Sequence, residues 1–210
     1  MEKIDHSQLK ATPENEDFSG KYEDTSFISK YLVDSYFKSV EKLVKKANNI
    51  NSAHEIGSGE GRSTMRLNKM VPNLTASEYV EDLVELAKKN NPSVNIFQES
   101  AYKLKYTNSS VDLVFLLEVL EHLDYPEVAL EEIKRASKKY LILGVPREPL
   151  WRFLNMSRLK YLKEFGNTPG HLNHWSKKSL IKLIEKKFGK VIAVESPIPW
   201  TIVLAEKTKG

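Results

Sequence analysis

Three groups of residues in this 210-residue chain have the types and spacing to do chemistry. The first is the loop Gly57-Ser58-Gly59-Glu60-Gly61, with Glu55 two residues ahead of it. Glycines between a strand and a helix permit a tight turn and let the backbone approach a ligand without Cβ clashes. A dinucleotide fingerprint G-x-G-x-x-G would put its third glycine at position 62, which is Arg62, so here it comes one residue early. The second is Glu78, 21 residues after Gly57 and at the end of the next apolar run. A carboxylate there can accept both hydroxyls of a ribose. The third is Glu118, Glu121 and His122, with His171 and His174 further along. Such groups can hold a proton or a divalent cation. There is no cysteine, which excludes disulfides, a thiolate nucleophile and cysteine-ligated zinc.

The elements around these groups follow from hydrophobic periodicity. Apolar residues recur at helical spacing from Phe27 to Ala47 (Phe27, Tyr31, Tyr36, Val40, Leu43, Val44), and Asn48-Asn49 ends that helix. Strands are then expected at Ala53–Ile56, Leu74–Tyr79, Val94–Gln98, Val111–Leu117 and Tyr140–Val145. Helices are expected between them at Arg62–Met70, Val80–Lys89 and Pro126–Ser137. The run Val111–Leu117 is almost wholly apolar, as a strand covered on both faces must be. After a helix at Ser176–Phe188, strands at Val191–Val194 and Thr201–Ala205 are joined by the short segment Glu195–Trp200, which favours an antiparallel pair. The alternation predicts an α/β doubly wound sheet.

With the loop, the acid and the order of elements in place, the chain resembles the class I S-adenosylmethionine-dependent methyltransferases, especially small stand-alone members. Ala53-His54-Glu55-Ile56-Gly57-Ser58-Gly59-Glu60-Gly61 matches their first motif from Glu55 on. The stretch from Glu78 to Ala87 resembles their acid followed by a helix, and Gln98-Glu99-Ser100-Ala101 stands where they usually carry Gly-Asp-Ala. Val111–Leu123 resembles their fourth strand and its turn, and Leu141–Pro146 their fifth strand. The resemblance covers roughly residues 50–206 and lies in ordered motifs. It implies a Rossmann-like seven-stranded sheet, parallel except for one antiparallel strand near the C-terminal end.

The resemblance also implies a binding site for S-adenosyl-L-methionine, with S-adenosyl-L-homocysteine as product. Gly57, Ser58, Gly59 and Gly61 would pack against the methionine end, and Glu55 would sit beneath its amino group. Glu78 would bind the ribose and Tyr79 would flank the adenine. Ser100 and Ala101 would lie at the adenine edge, and Leu117 and Glu118 along the other side. Two positions depart from the family. His54 stands in a buried strand where an apolar residue is usual, and Ser100 replaces an acid that commonly accepts from the adenine amine. A serine hydroxyl can accept that bond without the charge.

Methyl transfer displaces a leaving group from a carbon that the sulfonium has already activated, so an enzyme mainly aligns the acceptor and excludes water. A base is needed only where the acceptor must lose a proton. His122, His171 and His174 are the candidate catalytic residues. Glu118-x-x-Glu121-His122 also resembles the cation-holding cluster of ubiquinone-type and small-RNA methyltransferases. The favoured reading is that Glu121-His122 closes the turn by hydrogen bonds, with a divalent cation second.

The net charge of +4 is uneven: residues 147–210 hold 13 Lys and Arg against 5 Asp and Glu. Much of that excess is solvated lysine on the last helix, and the rest can form a cationic rim. Residues 147–175 interleave Leu150, Trp151, Phe153, Leu154, Met156, Leu159, Tyr161, Leu162 and Phe165 with five cations and read as a lid over the substrate side. Its apolar side is expected to pack on the core; resting on a membrane interface is the other use of such a pattern. Residues 1–25 read as a mobile arm and residues 26–210 as one domain. No apolar run reaches the roughly 20 residues of a membrane helix. Without a secretory core near Met1, the chain is expected to be cytoplasmic. The acceptor is expected to be a small or lipid-like molecule. RNA or another biopolymer is the alternative, although no specific nucleic-acid module accompanies the domain. A non-catalytic cofactor-binding regulator is the other alternative.

Overall fold

The computed structural model describes Leu9–Ala11 and residues 27–208. Most of the expected N-terminal arm lies outside the described residues. The elements run α1 (Phe27–Val44), β1 (Ala53–Ile56), α2 (Arg62–Leu67), β2 (Leu74–Glu78), α3 (Glu81–Asn90), β3 (Asn95–Gln98), β4 (Val111–Leu117), α4 (Pro126–Ala136), β5 (Ser137–Pro146), α5 (Leu150–Ser157), α6 (Lys177–Lys187), β6 (Gly189–Glu195) and β7 (Trp200–Lys207). Single 3-10 turns occupy Leu120–His122 and Leu162–Glu164.

The seven strands lie in the order β3-β2-β1-β4-β5-β7-β6. β7 runs antiparallel to both neighbours, and the other pairings are parallel. The single antiparallel strand near the C-terminal end is therefore as expected. β7 inserts between β5 and β6, which makes β6 an edge.

Alternation along the central strands builds two cores. On β4, Leu113, Phe115 and Leu117 face one side with Val40 and Leu43 of α1 and Val84 of α3. Val114 and Leu116 face the other with Ile133 of α4 and Leu180, Ile184 and Phe188 around α6. The period-two side-chain rule makes this division, and one strand feeds both cores because helices cover both faces. β5 and β7 follow the same alternation, with Ile142 and Ile202 on the first side and Leu143 and Val203 on the second. Truncating a fully buried side chain such as Leu116 to Ala should cost about 2–5 kcal/mol.

Boundaries differ from the expectation where polar ends pair. β5 begins at Ser137, because Ser137 pairs with Val111 ahead of the apolar run. α2 stops at Leu67 rather than Met70, with the Asn68 and Met70 N–H groups closing onto Thr64 and Leu67 carbonyls as turns. α6 begins as its sequence dictates: Ser176 Oγ accepts from the Ser179 N–H at 3.2 Å, a serine N-cap.

Candidate active site

The parallel strands β1, β2, β3, β4 and β5 end on one rim, where ligands bind in doubly wound sheets. The glycine loop leaves β1 on that rim. Gly57 and Ser58 both donate backbone N–H groups to Ser77 O, at 2.8 and 3.0 Å, so the loop stays tied to β2. Gly57 and Gly61 have φ of +76° and +82°, a conformation that glycine adopts without strain. Each is also tightly packed. A Cβ at Gly57 would fall 2.3 Å from Val119 Cγ2, and one at Gly61 would fall 2.3 Å from Asn91 Nδ2. Val119 thus presses the turn after β4 onto the loop. Asn91 donates to Gly61 O at 2.9 Å and holds the loop's far end to the end of α3.

Gly59 is different: at φ +52° its Cβ position meets no atom within 4 Å. Its N–H donates to Glu78 Oε2 at 2.8 Å. The other carboxylate oxygen of Glu78 accepts from the Tyr79 and Val80 N–H groups at 2.7 and 3.2 Å. Three backbone donors therefore hold this acid at the rim. Tyr79 stands exposed beside it. Glu99 donates its N–H to Glu78 O at 2.9 Å, which brings Ser100 and the buried Ala101 to the same neighbourhood.

Glu55 lies one turn beneath the loop, 1% exposed, and accepts from Thr64 Oγ1 at 2.6 Å. Burial pushes its carboxyl up to about 7. The Ser63 and Thr64 hydroxyls act against that rise, and the neighbouring Glu78 carboxylate adds to it. A cationic group placed above Glu55 would favour the carboxylate. Ser58 Oγ is buried with no hydrogen-bond partner among the described residues. A buried acid at Glu55, an unpartnered hydroxyl at Ser58, open space at Gly59 and an acid at the rim at Glu78 together form a surface that S-adenosylmethionine would fit.

His54 does not weaken its strand. The ring is fully buried, with Nδ1 2.9 Å from Thr75 Oγ1 and Nε2 3.0 Å from Ser77 Oγ. It stacks on Phe97, and Glu99 Oε2 lies 3.4 Å away. The polar partners come from β2 and from just after β3, which explains how an imidazole replaces an apolar residue here.

Beyond the loop, Leu117 ends β4 and is 7% exposed, and Glu118 follows with φ of +59° and its N–H on Gly144 O. Glu121, His122 and His171 then come together, one ligand atom of each lying within 4.8 Å of the others. The His122 and His171 rings meet edge to face at 4.9 Å. Two backbone N–H groups, of Leu172 and Asn173, donate to Glu121 O and pin the later loop to the earlier turn. His174 is not part of this group. Its Nε2 lies 2.9 Å from the Arg152 guanidinium and 2.6 Å from Asn167 Oδ1, and burial and Arg152 lower its pKa.

An aromatic row that no motif revealed joins Tyr36, Trp200, Trp151 and His171. Tyr36 packs on Gly144 and meets Trp200 at 5.0 Å; Trp200 meets Trp151 at 6.0 Å, and Trp151 stacks on His171 at 6.0 Å. Their order in space depends on β7 pairing with β5, which sets Trp200 opposite Pro146. Thr64 and Asn91, which fix Glu55 and Gly61, carried no signal beyond helix boundaries.

Residues 54–142 match the family model described as a methyltransferase domain. The fold is shared with a possible histamine N-methyltransferase from Thermotoga maritima, at TM-score 0.65 and 21% identity over 87% of this chain and 96% of that one. It is shared with the magnesium protoporphyrin IX methyltransferase of Synechocystis PCC 6803, solved with bound SAH, at TM-score 0.66 and 16% identity over 90% and 92%. A SAM-dependent methyltransferase from Aquifex aeolicus aligns at TM-score 0.63 and 20% identity over 83% and 98%. No curated protein matches the chain in sequence. The matched stretch holds the glycine loop, Glu78 and the turn from Glu118 to His122, so this part of the chain is similar to a methyltransferase domain.

Proposed function

We propose that this chain is a small class I S-adenosylmethionine-dependent methyltransferase that acts on a small-molecule or lipid-like acceptor held between the turn after β4 and the aromatic row of the rim. The observation that carries this is the row itself: Tyr36, Trp200 and Trp151 lead to the His171–His122 pair. Aromatic walls suit an acceptor with an apolar or flat body, and the imidazoles supply polar contacts at its reacting end. When bound, S-adenosylmethionine supplies a methyl group on a sulfonium.

This chain's residues then have separate tasks. Glu55, Gly57, Ser58, Gly59 and Gly61 hold the amino-acid end, and Glu78 accepts from the ribose hydroxyls. Tyr79, Ser100 and Ala101 border the adenine, and Leu117 and Glu118 close the opposite side. His122 or His171 takes the proton where the acceptor must lose one, and the lid residues exclude water. His174, turned to Arg152, positions the lid.

A second reading rests on the grouping of Glu121, His122 and His171. A divalent cation at those atoms would lower the pKa of an acceptor hydroxyl. Manganese titration read by electron paramagnetic resonance decides it. Saturable binding lost in both His122→Ala and His171→Ala supports the cation, whereas no binding leaves the imidazoles as proton acceptors. Acceptor class is tested by turnover of methyl-labelled cofactor against metabolite, lipid and RNA extracts. Label in the RNA alone favours the biopolymer reading, and tight cofactor binding without transfer to any extract favours a regulatory protein.

A further inference from the structure

The lid's apolar residues pack inward only in part: Leu150, Trp151, Leu154 and Met156 are half-buried, whereas others face solvent. In α5 the only buried residue is Asn155. Phe153, Leu159, Leu162 and Phe165 are 63%, 78%, 53% and 76% exposed. A groove of about 510 Å³ opens among Leu150, Phe153, Met156 and Phe165.

This outward face is held in shape. Asn155 Nδ2 donates to Gly166 O at 2.9 Å, closing the Leu162–Glu164 turn back onto α5. Gly166 has no room for a side chain there, since a Cβ would lie 2.3 Å from Arg152 O. Trp151 Nε1 donates to Thr168 Oγ1 at 2.9 Å on the inner side. One short helix therefore turns Trp151 toward His171 and Phe153 toward solvent.

Charge accompanies the exposed apolar residues. Arg158, Lys160 and Lys163 are exposed among them, and Glu164 is the one acid in residues 150–165. Arg152 is engaged elsewhere, 3.6 Å from Glu148 and 2.9 Å from His174, so it is not one of the outward cations. Exposed aromatic and aliphatic side chains interleaved with cations match an anionic bilayer interface. There the apolar groups enter the acyl boundary while Lys and Arg reach the headgroups.

We propose that residues 150–165 dock this enzyme on an anionic lipid surface. The docking itself depends only on this face. That a lipid-like acceptor then passes from the bilayer past Trp151 rests on the reading of the acceptor given above. No described helix is long and apolar enough to cross a membrane, so the contact is peripheral.

Co-sedimentation of the full chain uses vesicles of phosphatidylcholine alone and of phosphatidylcholine mixed with phosphatidylglycerol. Binding is expected to the mixed vesicles only and to weaken with salt. It should fall at least tenfold in both Arg158→Glu/Lys163→Glu and Phe153→Ser/Phe165→Ser. Melting temperature and cofactor affinity should stay as in the unaltered chain, which separates loss of docking from loss of fold or of the cofactor site. No binding to the mixed vesicles overturns the proposal. So does binding that survives the phenylalanine pair, which would be unspecific charge attraction. Self-association abolished by that pair also overturns it, since a second copy would then cover the face.

Discussion

The Gly59 N–H donates to Glu78 Oε2 across 2.8 Å, so the loop that would face the cofactor and the acid that would bind its ribose are one hydrogen-bonded unit. The end of β2 sets the position of the loop after β1. A change at either residue is therefore felt at the other.

The glycines of the loop should separate by function. Gly59→Ala puts a methyl group into space that the protein leaves open, with only the cost of a positive φ, about 1 kcal/mol. Its melting temperature should drop slightly while affinity for S-adenosylmethionine falls at least tenfold. Gly57→Ala should lose far more stability, because its Cβ meets Val119 Cγ2 at 2.3 Å. Calorimetric melting and titration check both, and wild-type affinity in Gly59→Ala would contradict the placement.

Glu55 should make stability depend on pH. Its carboxyl titrates at about 7 in the folded chain against 4.5 ordinarily, so the folded chain holds this proton more tightly than the unfolded one. Stability from this group is complete below 4.5 and falls as pH rises to about 7, by about 3 kcal/mol in total. Above that it is level. Urea unfolding between about pH 5 and 8 should show this slope, and Glu55→Gln should remove it.

His54→Leu would restore an apolar residue, yet it should destabilise. It leaves the Ser77 hydroxyl and the Glu99 carboxylate in a buried place without the imidazole. The expected loss is about 2 kcal/mol in chemical denaturation. An equal or higher midpoint would show that the polar network contributes nothing.

Arg135 anchors the segment that follows Ser100 and Ala101. It donates to Leu104 O at 3.1 Å, Tyr106 O at 2.7 Å and both oxygens of Glu132, while Glu132 Oε1 accepts from the Leu104 N–H. Arg135→Ala should cost about 2 kcal/mol and raise amide exchange across residues 103–108. Unchanged exchange there would mean that the segment is held by other contacts.

These elements differ in how far the sequence reveals them. β4 is readable because a strand covered on both faces must be almost wholly apolar, and the loop is readable because its glycines answer backbone needs at fixed spacing. The insertion of β7 beside β5 is tertiary pairing, and local pattern carries only the antiparallel link. The meeting of His122 with His171 likewise depends on backbone bonds from Leu172 and Asn173 to Glu121 O, between residues about 50 apart in the chain. The segment read as a lid is legible only in part. Helical periodicity identifies an apolar face but not what covers it, and here Trp151 turns inward while Phe153 and Phe165 face solvent.

Isothermal titration with S-adenosylmethionine is the most direct measurement. The unaltered chain should bind saturably, and Glu78→Ala should lose at least tenfold in affinity, since one charged acceptor to a ligand hydroxyl contributes about 1.5–3 kcal/mol. Absence of binding in the unaltered chain, or undiminished binding in Glu78→Ala, would contradict the assignment of the loop and its acid to this cofactor.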